Sequence, residues 1–465
     1  MRFCPARSND RSDMRWVWAI LAAALATTPV HAQALNAQAL NSQAVDAQGV
    51  DAQAVDTQAV DTQAVDARTV DGPTPRLAYD LELSASFRGG AWTNDRDLSG
   101  ETLVAVASTR LRAVAKLGAL DGFAEGYVQA ASVNRGHGDL VEGWLRLTAG
   151  AFELRAGRQI VMWGRADRLN PTDVISARDY TLLVASDDEQ RRGSLMAQIR
   201  LGLGLWTIDG FWLPEFRDNR FPLDRLRPGI AVMADQRVHD KGQFAIKIDR
   251  SGGRVDFSLS WFHGTDRTRD FVAVAPPTGF IAGVQQQFPQ VDVYGGDLAG
   301  TAGPIGWRAE VAWSRYRGAN TIYRKNDNLW AVIGADATVG NGWNLNLQYS
   351  FRRIFDFQDL NAVQNPIARA VALQSAAVNN QLGRTQNGLT FRVARKFFAD
   401  TLDVEVAALG FFETGDAAFR PKLTYAINDR VRITAGADIF VGPTLSYFGR
   451  VRSLSAGYLQ ITHGF

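Results

Sequence analysis

The chain has 465 residues, of which 46% are hydrophobic and 21% charged, and its formal net charge is only +2. Basic residues are spread along the chain without a concentrated patch, which argues against a nucleic-acid-binding protein. The single cysteine, Cys4, excludes a disulfide framework, and the spacing of the histidines and acidic residues indicates no metal or cofactor site.

Residues 1–32 have the composition of a secretory signal peptide. Four arginines accompany a short apolar run over 16–26, and the small residue Ala32 suits a cleavage site. The run is too short to cross a bilayer as a helix, and no later apolar run is longer. Met1 and Met14 are both candidate starts, since a basic residue follows each. We therefore expect an exported protein.

Residues 33–75 repeat a five-residue unit of the type VDAQA or VDTQA and contain no aromatic residue. A period of five matches neither a helix nor a strand, so no face of the segment stays apolar. This composition favours a low-complexity, disordered spacer. The alternatives are a plug folded into a barrel lumen and a tether in the periplasm. Residues 76–465 remain as the folded unit.

Long alternating strands begin at residue 77. Apolar and polar side chains alternate over 77–88, and the same pattern returns over 343–352 and 431–439. Such a strand is longer than the usual strand of a soluble protein and matches a tilted strand that crosses a membrane. Large apolar residues on one face suit lipid, and charged residues on the other face suit a water-filled lumen. A soluble β-sandwich would also alternate, but with shorter strands.

The connections between strands alternate in length. Short turns are predicted at 118–121, 149–151, 202–204, 251–253, 300–304, 340–341, 399–400 and 428–429. Between them, mostly longer loops are predicted at 93–101, 135–138, 163–192, 214–241, 264–289, 317–327, 355–385, 413–415 and 441–454. This alternation predicts an all-β, transmembrane, antiparallel up-and-down β-barrel of 18 strands with both termini in the periplasm. Barrels of 16 or 14 strands are the alternatives.

The chain ends with the alternating strand GYLQITHGF, which places Leu459, Ile461 and Phe465 on its apolar face. We expect this strand to pair with residues 77–87, because closure removes the free edges of the sheet. The ending resembles the terminal-Phe signature of Gram-negative outer-membrane porins. The resemblance implies an outer-membrane location, contact with outer-membrane lipid, and recognition of Phe465 by the barrel-assembly machinery.

The loop 163–192 is dense in charges of both signs, and we interpret it as a constriction folded into the barrel. Opposed charges across a narrow lumen select solutes by charge and size. The alternative is an exposed loop with solvated ion pairs, which its apolar segments at 174–175 and 182–184 disfavour. The candidate residues are Arg165, Asp167, Arg168, Asp173, Arg178, Asp179, Asp187, Asp188, Glu189, Arg191 and Arg192, with Arg110, Arg112, Arg146 and Arg155 from the strands.

The stretch that enters this loop contains Gly157-Arg158-Gln159, then Trp163-Gly164 and Asn170-Pro171. It is similar to a motif of poorly characterised proteobacterial porin-like barrels. The resemblance covers this stretch and the general barrel layout, and it implies no substrate.

Three functions compete at this point. The first is an outer-membrane porin for passive or substrate-selective diffusion of small solutes. The second is a transporter of hydrophobic compounds such as fatty acids. The third, an outer-membrane enzyme, is disfavoured because His137, His239, His263 and His463 lack partner motifs for catalysis. The sequence leaves open the solute, the ion selectivity and whether the chain forms an oligomer.

Overall fold

The computed structural model describes residues 79–94, 102–132, 136–221, 242–274, 281, 283–318 and 321–465. The predicted signal peptide, the repeat segment, the first two residues of the predicted strand at 77 and most of the loop 214–241 lie outside the described residues. Within the described ranges, no helix is long and apolar enough to cross a membrane.

Eighteen antiparallel strands form one closed sheet, which confirms the predicted barrel and its strand number. With four short strands that lie in loops, the described residues contain 22 strands. In chain order they are β1 (Tyr79–Trp92), β2 (Val104–Leu117), β3 (Leu120–Ala131), β4 (His137–Ala149), β5 (Phe152–Gln159), β6 (Ala177–Arg178), β7 (Arg191–Arg192), β8 (Ser194–Leu203), β9 (Trp206–Leu213), β10 (Gln243–Arg250), β11 (Val255–Thr265), β12 (Asp270–Val274), β13 (Gly283–Gln287), β14 (Gln290–Ala302), β15 (Ile305–Tyr316), β16 (Asn328–Val339), β17 (Trp343–Ile354), β18 (Thr385–Phe397), β19 (Leu402–Phe411), β20 (Asp416–Ala426), β21 (Val431–Val441) and β22 (Ala456–Gly464). The pairs β6–β7 and β12–β13 form separate two-stranded sheets within loops.

The strand connections mostly follow the predicted alternation of short turns and long loops, but the β19–β20 connection at 412–415 is a four-residue turn. The short turns use residues in the left-handed region, such as Gly118 and Gly150, each with φ of 60°. The opposite end of the barrel carries the long loops. These include helix α1 (Pro366–Val378), whose first turn is capped by the Asn365 side chain, and the short helix α2 (Tyr447–Arg450).

The barrel closes between its last and first strands, as predicted, but in a different register. β22 pairs with β1 from Ser86 opposite Gly464 to Trp92 opposite Tyr458. The expectation that residues 77–87 form the partner segment was therefore wrong for most of its length, because β1 continues to Trp92. The buried Trp92 ring stacks on Tyr458 with centroids 6.1 Å apart and fixes the upper end of this seam.

Gly90 permits the close approach of the two strands at this seam. A Cβ at this position would lie 2.8 Å from the carbonyl oxygen of Leu459 and 2.7 Å from the Trp92 ring. A side chain here would push the closing strand away, so the close packing of this seam requires a glycine at position 90.

The two faces of the sheet have opposite polarity. Large apolar side chains such as Leu83, Leu259 and Ile333 are more than half exposed on the outside, at 63%, 62% and 60%. Buried polar residues such as Gln198 and Gln348 face the lumen instead. This is the reverse of a soluble barrel, in which an apolar interior is covered by a polar surface. An outer face of this kind is stable in contact with lipid.

Candidate functional site in the barrel lumen

The connection between β5 and β8, residues 160–193, folds into the barrel. It contains the short β6–β7 pairing and a 3-10 turn at Asp187–Gln190. Ile175 and Leu182 are buried within it. Its side chains contact strands on opposite sides of the wall, from β1 and β2 to β14 and β19. The loop therefore crosses the lumen.

Glu310 of β15 fixes the first part of this loop. Its Oε1 accepts hydrogen bonds from the Thr172 backbone N–H and hydroxyl, both at 2.7 Å, and its Oε2 accepts one from the Ala166 N–H at 3.1 Å. Gly164 has a φ of +89°, and a Cβ there would lie 2.3 Å from Glu310 Oε2. The loop can pass this carboxylate only because residue 164 is a glycine.

Arg165 forms a second attachment to the same side of the barrel. Its guanidinium contacts Asp297 of β14 and lies 2.9 Å from Asp249 Oδ2 of β10. Asp297 is buried and also accepts a hydrogen bond from the Ser258 hydroxyl. A buried carboxylate is stable only when paired, so this attachment stabilises both the loop and the wall.

The middle of the loop meets the opposite wall through a cluster of alternating charges. Arg168 lies 3.0 Å from Glu405 of β19 and 3.6 Å from Asp187 of the loop. Arg420 of β20 contacts both Asp187 and Asp438. Burial raises the pKa of Asp187, but the neighbouring Arg420 and Arg168 outweigh it and hold this pKa well below its usual range.

The last part of the loop contacts the seam side of the barrel. Glu189 Oε1 accepts a hydrogen bond from Arg88 at 2.9 Å, and Glu189 Oε2 lies 3.3 Å from Arg110. Within the loop, Asp173 pairs with Arg191 at 2.8 Å. The loop is therefore held at both of its ends and in its middle.

Asp173 also pairs with a second loop arginine, Arg178, at 3.3 Å. Asp179 accepts a hydrogen bond from Arg220 at 3.1 Å. Asp188 lies 3.8 Å from Arg191 at the end of the 3-10 turn.

Two further candidates of the loop take other positions. Asp167 is held through its backbone by the Gln348 amide and lines a cavity. Arg192 lies 3.6 Å from Asp139, away from the charge cluster in the middle of the loop.

Three of the four candidate arginines from the strands contact the barrel wall and not the loop. Arg112 lies over the Phe123 ring, Arg146 pairs with Asp121, and Arg155 bonds Gln198. Only Arg110 is brought to the loop, through Glu189.

The space between the loop and the wall forms two adjoining cavities. The inner cavity, of about 290 Å³, lies between the loop and residues of β15, β18, β19 and β20. The outer cavity, of about 490 Å³, extends toward the long-loop end of the barrel. Both are lined by Arg168, Arg178, Asp187 and Arg420, so they meet at the charge cluster described above.

Sequence reasoning missed Arg420 and Asp438, which complete this cluster. Alternation along β20 places Arg420 on the lumen face, between the outward Phe419 and Pro421. That signal identifies a lumen arginine. It does not reveal the contact with Asp187, which is 233 positions away in the chain.

Comparison with known proteins shows likeness in fold only. No family model and no curated protein matches the chain. Pseudomonas aeruginosa OpdK, solved with vanillate, aligns with a TM-score of 0.50 and 10% identity over 83% of this chain and 98% of that chain. P. aeruginosa OccK11 (OpdR) aligns at 0.49 and 12% over 83% and 96%, and a mutant of the Rh. blastica porin at 0.39 and 10% over 83% and 100%.

Proposed function

We propose that this chain is an outer-membrane channel for the passive or substrate-selective diffusion of small solutes, with residues 163–192 as its constriction. One observation carries the proposal: a charged loop crosses the lumen of an 18-strand barrel and leaves two cavities that meet at its ion pairs. A closed barrel with an apolar outer face can lie in a membrane without unsatisfied backbone groups. Its polar lumen then offers a path for water and solutes.

The outer-membrane placement rests on the same architecture. The long loops would lie outside the cell, and the short turns and both termini would lie in the periplasm. Residues 1–32 would direct export. The Phe465 side chain is exposed, while its N–H donates to the Ala85 carbonyl at 2.8 Å. We propose that the barrel-assembly machinery recognises this terminal aromatic residue.

The charges that line the inner cavity favour the passage of anions. The basic residues in its lining number eight and the acidic residues four. A narrow path with an excess of one sign raises the local concentration of oppositely charged solutes. We therefore propose that small anions pass more readily than small cations of the same size.

The aromatic wall of the outer cavity supports a second candidate, a transporter of hydrophobic compounds. The Phe448 ring stacks between Phe411 and Phe440, with centroids 5.9 Å away on each side. Tyr447 lies against the same group. An apolar solute could bind here before it reaches the charged cluster. Flux assays with fatty acids against small organic anions separate the two candidates.

The test of channel function is planar-bilayer recording on the refolded chain, with circular dichroism to show that the barrel has formed. We expect discrete, ohmic current steps in salt solution. A folded and inserted protein that passes no current at either polarity would contradict an open channel.

A further inference from the structure

The outer face of strand β11 and of the neighbouring strands β14 to β17 carries an apolar groove of about 500 Å³. Its floor is formed by three small residues, Gly296, Ala309 and Ala331, and its sides by larger ones such as Leu259 and Phe351. The groove is therefore a largely apolar depression in the outer face of the barrel.

Two outward arginines lie above this groove, toward the long-loop end. Along β15 the exposed Val311 and Trp313 are followed on the same face by Arg315. Along β17 the outward Tyr349 and Phe351 are followed by Arg353 in the same way. Neither arginine forms an ion pair with any residue that the structure describes.

The strand register brings these two arginines close together. Trp313 lies opposite Leu329, and Leu329 lies opposite Arg353, so the three residues form one row across β15, β16 and β17. Arg315 is two residues above that row. With about 4.8 Å between strands and about 3.3 Å per residue, the two arginine Cα atoms are about 12 Å apart. Two long side chains at this separation can contact one headgroup.

An ion pair lies beside Arg315 and Arg353, which together form a basic rim above the groove. Arg317 lies 2.7 Å from Asp292 of β14, which also lies 2.8 Å from His263 Nδ1. Asp292 is thus already engaged and does not neutralise Arg315, which it faces across the strands. The rim retains positive charge beside the aromatic pair Tyr294 and Trp313, whose rings lie 5.6 Å apart, and aromatic residues of this kind mark a membrane interface.

We propose that this surface, the outward face of β14–β17 with Arg315 and Arg353, binds a phosphate-bearing lipid of the outer leaflet. The arginines would hold its phosphates, and one acyl chain would fill the groove. This inference rests on the proposed outer-membrane placement with the long loops outside. Arginine binds phosphate through paired N–H groups, and an unpaired arginine that faces a membrane is stable only at the headgroup level.

A second copy of the chain fits this surface less well. Such a contact would bury Arg315 and Arg353 at a protein interface. Among the described residues, the carboxylate in register with Arg315 is Asp292, and it already pairs with two groups. Burial of unpaired charge at an interface is costly. The charge of the rim therefore favours an anionic lipid.

The test is binding of diphosphoryl lipid A to the refolded full chain in detergent, measured as a Kd by native mass spectrometry. The variants are R315Q/R353Q, which removes the proposed phosphate contacts, and A331F, which fills the groove. The matched control is R254Q/R430Q, which removes two exposed arginines from the short-turn end. Lipid A without phosphates serves as the control ligand.

We expect wild type and R254Q/R430Q to bind alike, and R315Q/R353Q to bind at least about tenfold more weakly, since each basic residue near a headgroup contributes to binding. A331F and removal of the lipid phosphates should each weaken binding as well. Equal binding by wild type and R315Q/R353Q would overturn the proposal. So would equal binding of the phosphate-free lipid, or a dimer that forms through this face and excludes lipid.

Bilayer recording on the same preparations separates this proposal from the proposed channel. A preparation that conducts but does not bind lipid A would overturn only the lipid site. A preparation that binds lipid A at this face but never conducts would overturn only the channel function.

Discussion

Arg420 of the barrel wall contacts Asp187 of the lumen loop, and the same guanidinium contacts Asp438 on the neighbouring strand. One side chain thus joins the loop to two strands at the point where the two cavities meet. The pair also places a fixed positive and a fixed negative charge on the proposed path of the solute. Removing the charge of Arg420 should therefore shift ion selectivity in one direction, and removing the charge of Asp187 should shift it in the other.

We predict that R420Q lowers the preference for anions and that D187N raises it. A unit charge about 5–8 Å from a passing ion in water contributes about 0.5–0.8 kcal/mol, so the permeability ratio should change about two- to fourfold. Reversal potentials in a salt gradient measure this ratio. R420K keeps the charge and should stay close to wild type. Shifts of the same sign in R420Q and D187N would contradict this arrangement.

We predict that E310A loosens the lumen loop while the barrel stays folded. The change leaves the N–H groups of Ala166 and Thr172 without their acceptor, at a cost of about 1–3 kcal/mol for each buried group. Hydrogen exchange over 164–175 should accelerate, and single-channel currents should become noisier. T424A is a matched control, because its hydroxyl faces Thr434 on the wall and not the loop. Unchanged exchange over 164–175 in E310A would show that Glu310 does not hold the loop.

At the long-loop end, the β12–β13 hairpin and helix α1 pack together as a cap, and we predict that this cap weakens as pH rises from about 4 to about 6. Burial raises the pKa of Asp270 to about 6, and Asp266 adds to the shift while Lys325 opposes it. The folded cap therefore holds the proton more tightly than the open chain does, and its added stability is lost as Asp270 ionises. Hydrogen exchange of β12 over this pH range measures the effect.

The control for this pH dependence is D270N, which keeps an acceptor for the Asn379 amide, bonded to Asp270 Oδ1 at 2.9 Å, but does not titrate. The hydrogen-exchange rate of β12 in D270N should vary much less between pH 4 and 6 than it does in the wild type. A pH dependence in D270N equal to that of wild type would assign the effect to other groups.

We predict that W92A destabilises the closed barrel by about 3–5 kcal/mol, the usual cost of removing a buried tryptophan side chain. Trp92 is fully buried and stacks on Tyr458 at the seam between the first and last strands. Urea unfolding, monitored by far-UV circular dichroism of the backbone, measures the loss of unfolding free energy. L83A removes a side chain that is 63% exposed on the outer face and should cost much less in detergent. Equal losses in the two variants would show that the seam has no special role.

The sequence allowed the strand number and the order of turns and loops to be predicted, because both depend on local patterns. Alternation marks each strand, and residues such as Gly118 mark each turn. The register in which the first and last strands pair was predicted wrongly. It depends on contacts of Gly90 and Trp92 with Leu459 and Tyr458, which come from the other end of the chain. A local pattern does not contain that information.

The same distinction applies to the candidate site. The density of charge between Arg165 and Arg192 indicated the loop, and its apolar segments indicated that it folds inward. Their contacts on the wall lie far away in the chain: Arg420 is 233 positions from Asp187, and Glu310, which holds the loop at Thr172, is 138 positions from that residue. Arg112, Arg146 and Arg155 share the lumen face but pair with the wall, because alternation predicts which face a residue occupies and not which neighbour it meets.

The most direct test of the central proposal, that the loop constricts the channel, is single-channel recording on S186C before and after reaction with a bulky thiol reagent. Ser186 lines the inner cavity, and Cys4, the only native cysteine, lies in the predicted signal peptide. A335C, on the exposed outer face, is the control. We predict that modification of S186C lowers the conductance in a single step while modified A335C is unchanged. Full modification of S186C, verified by mass, with no change in conductance would contradict the account.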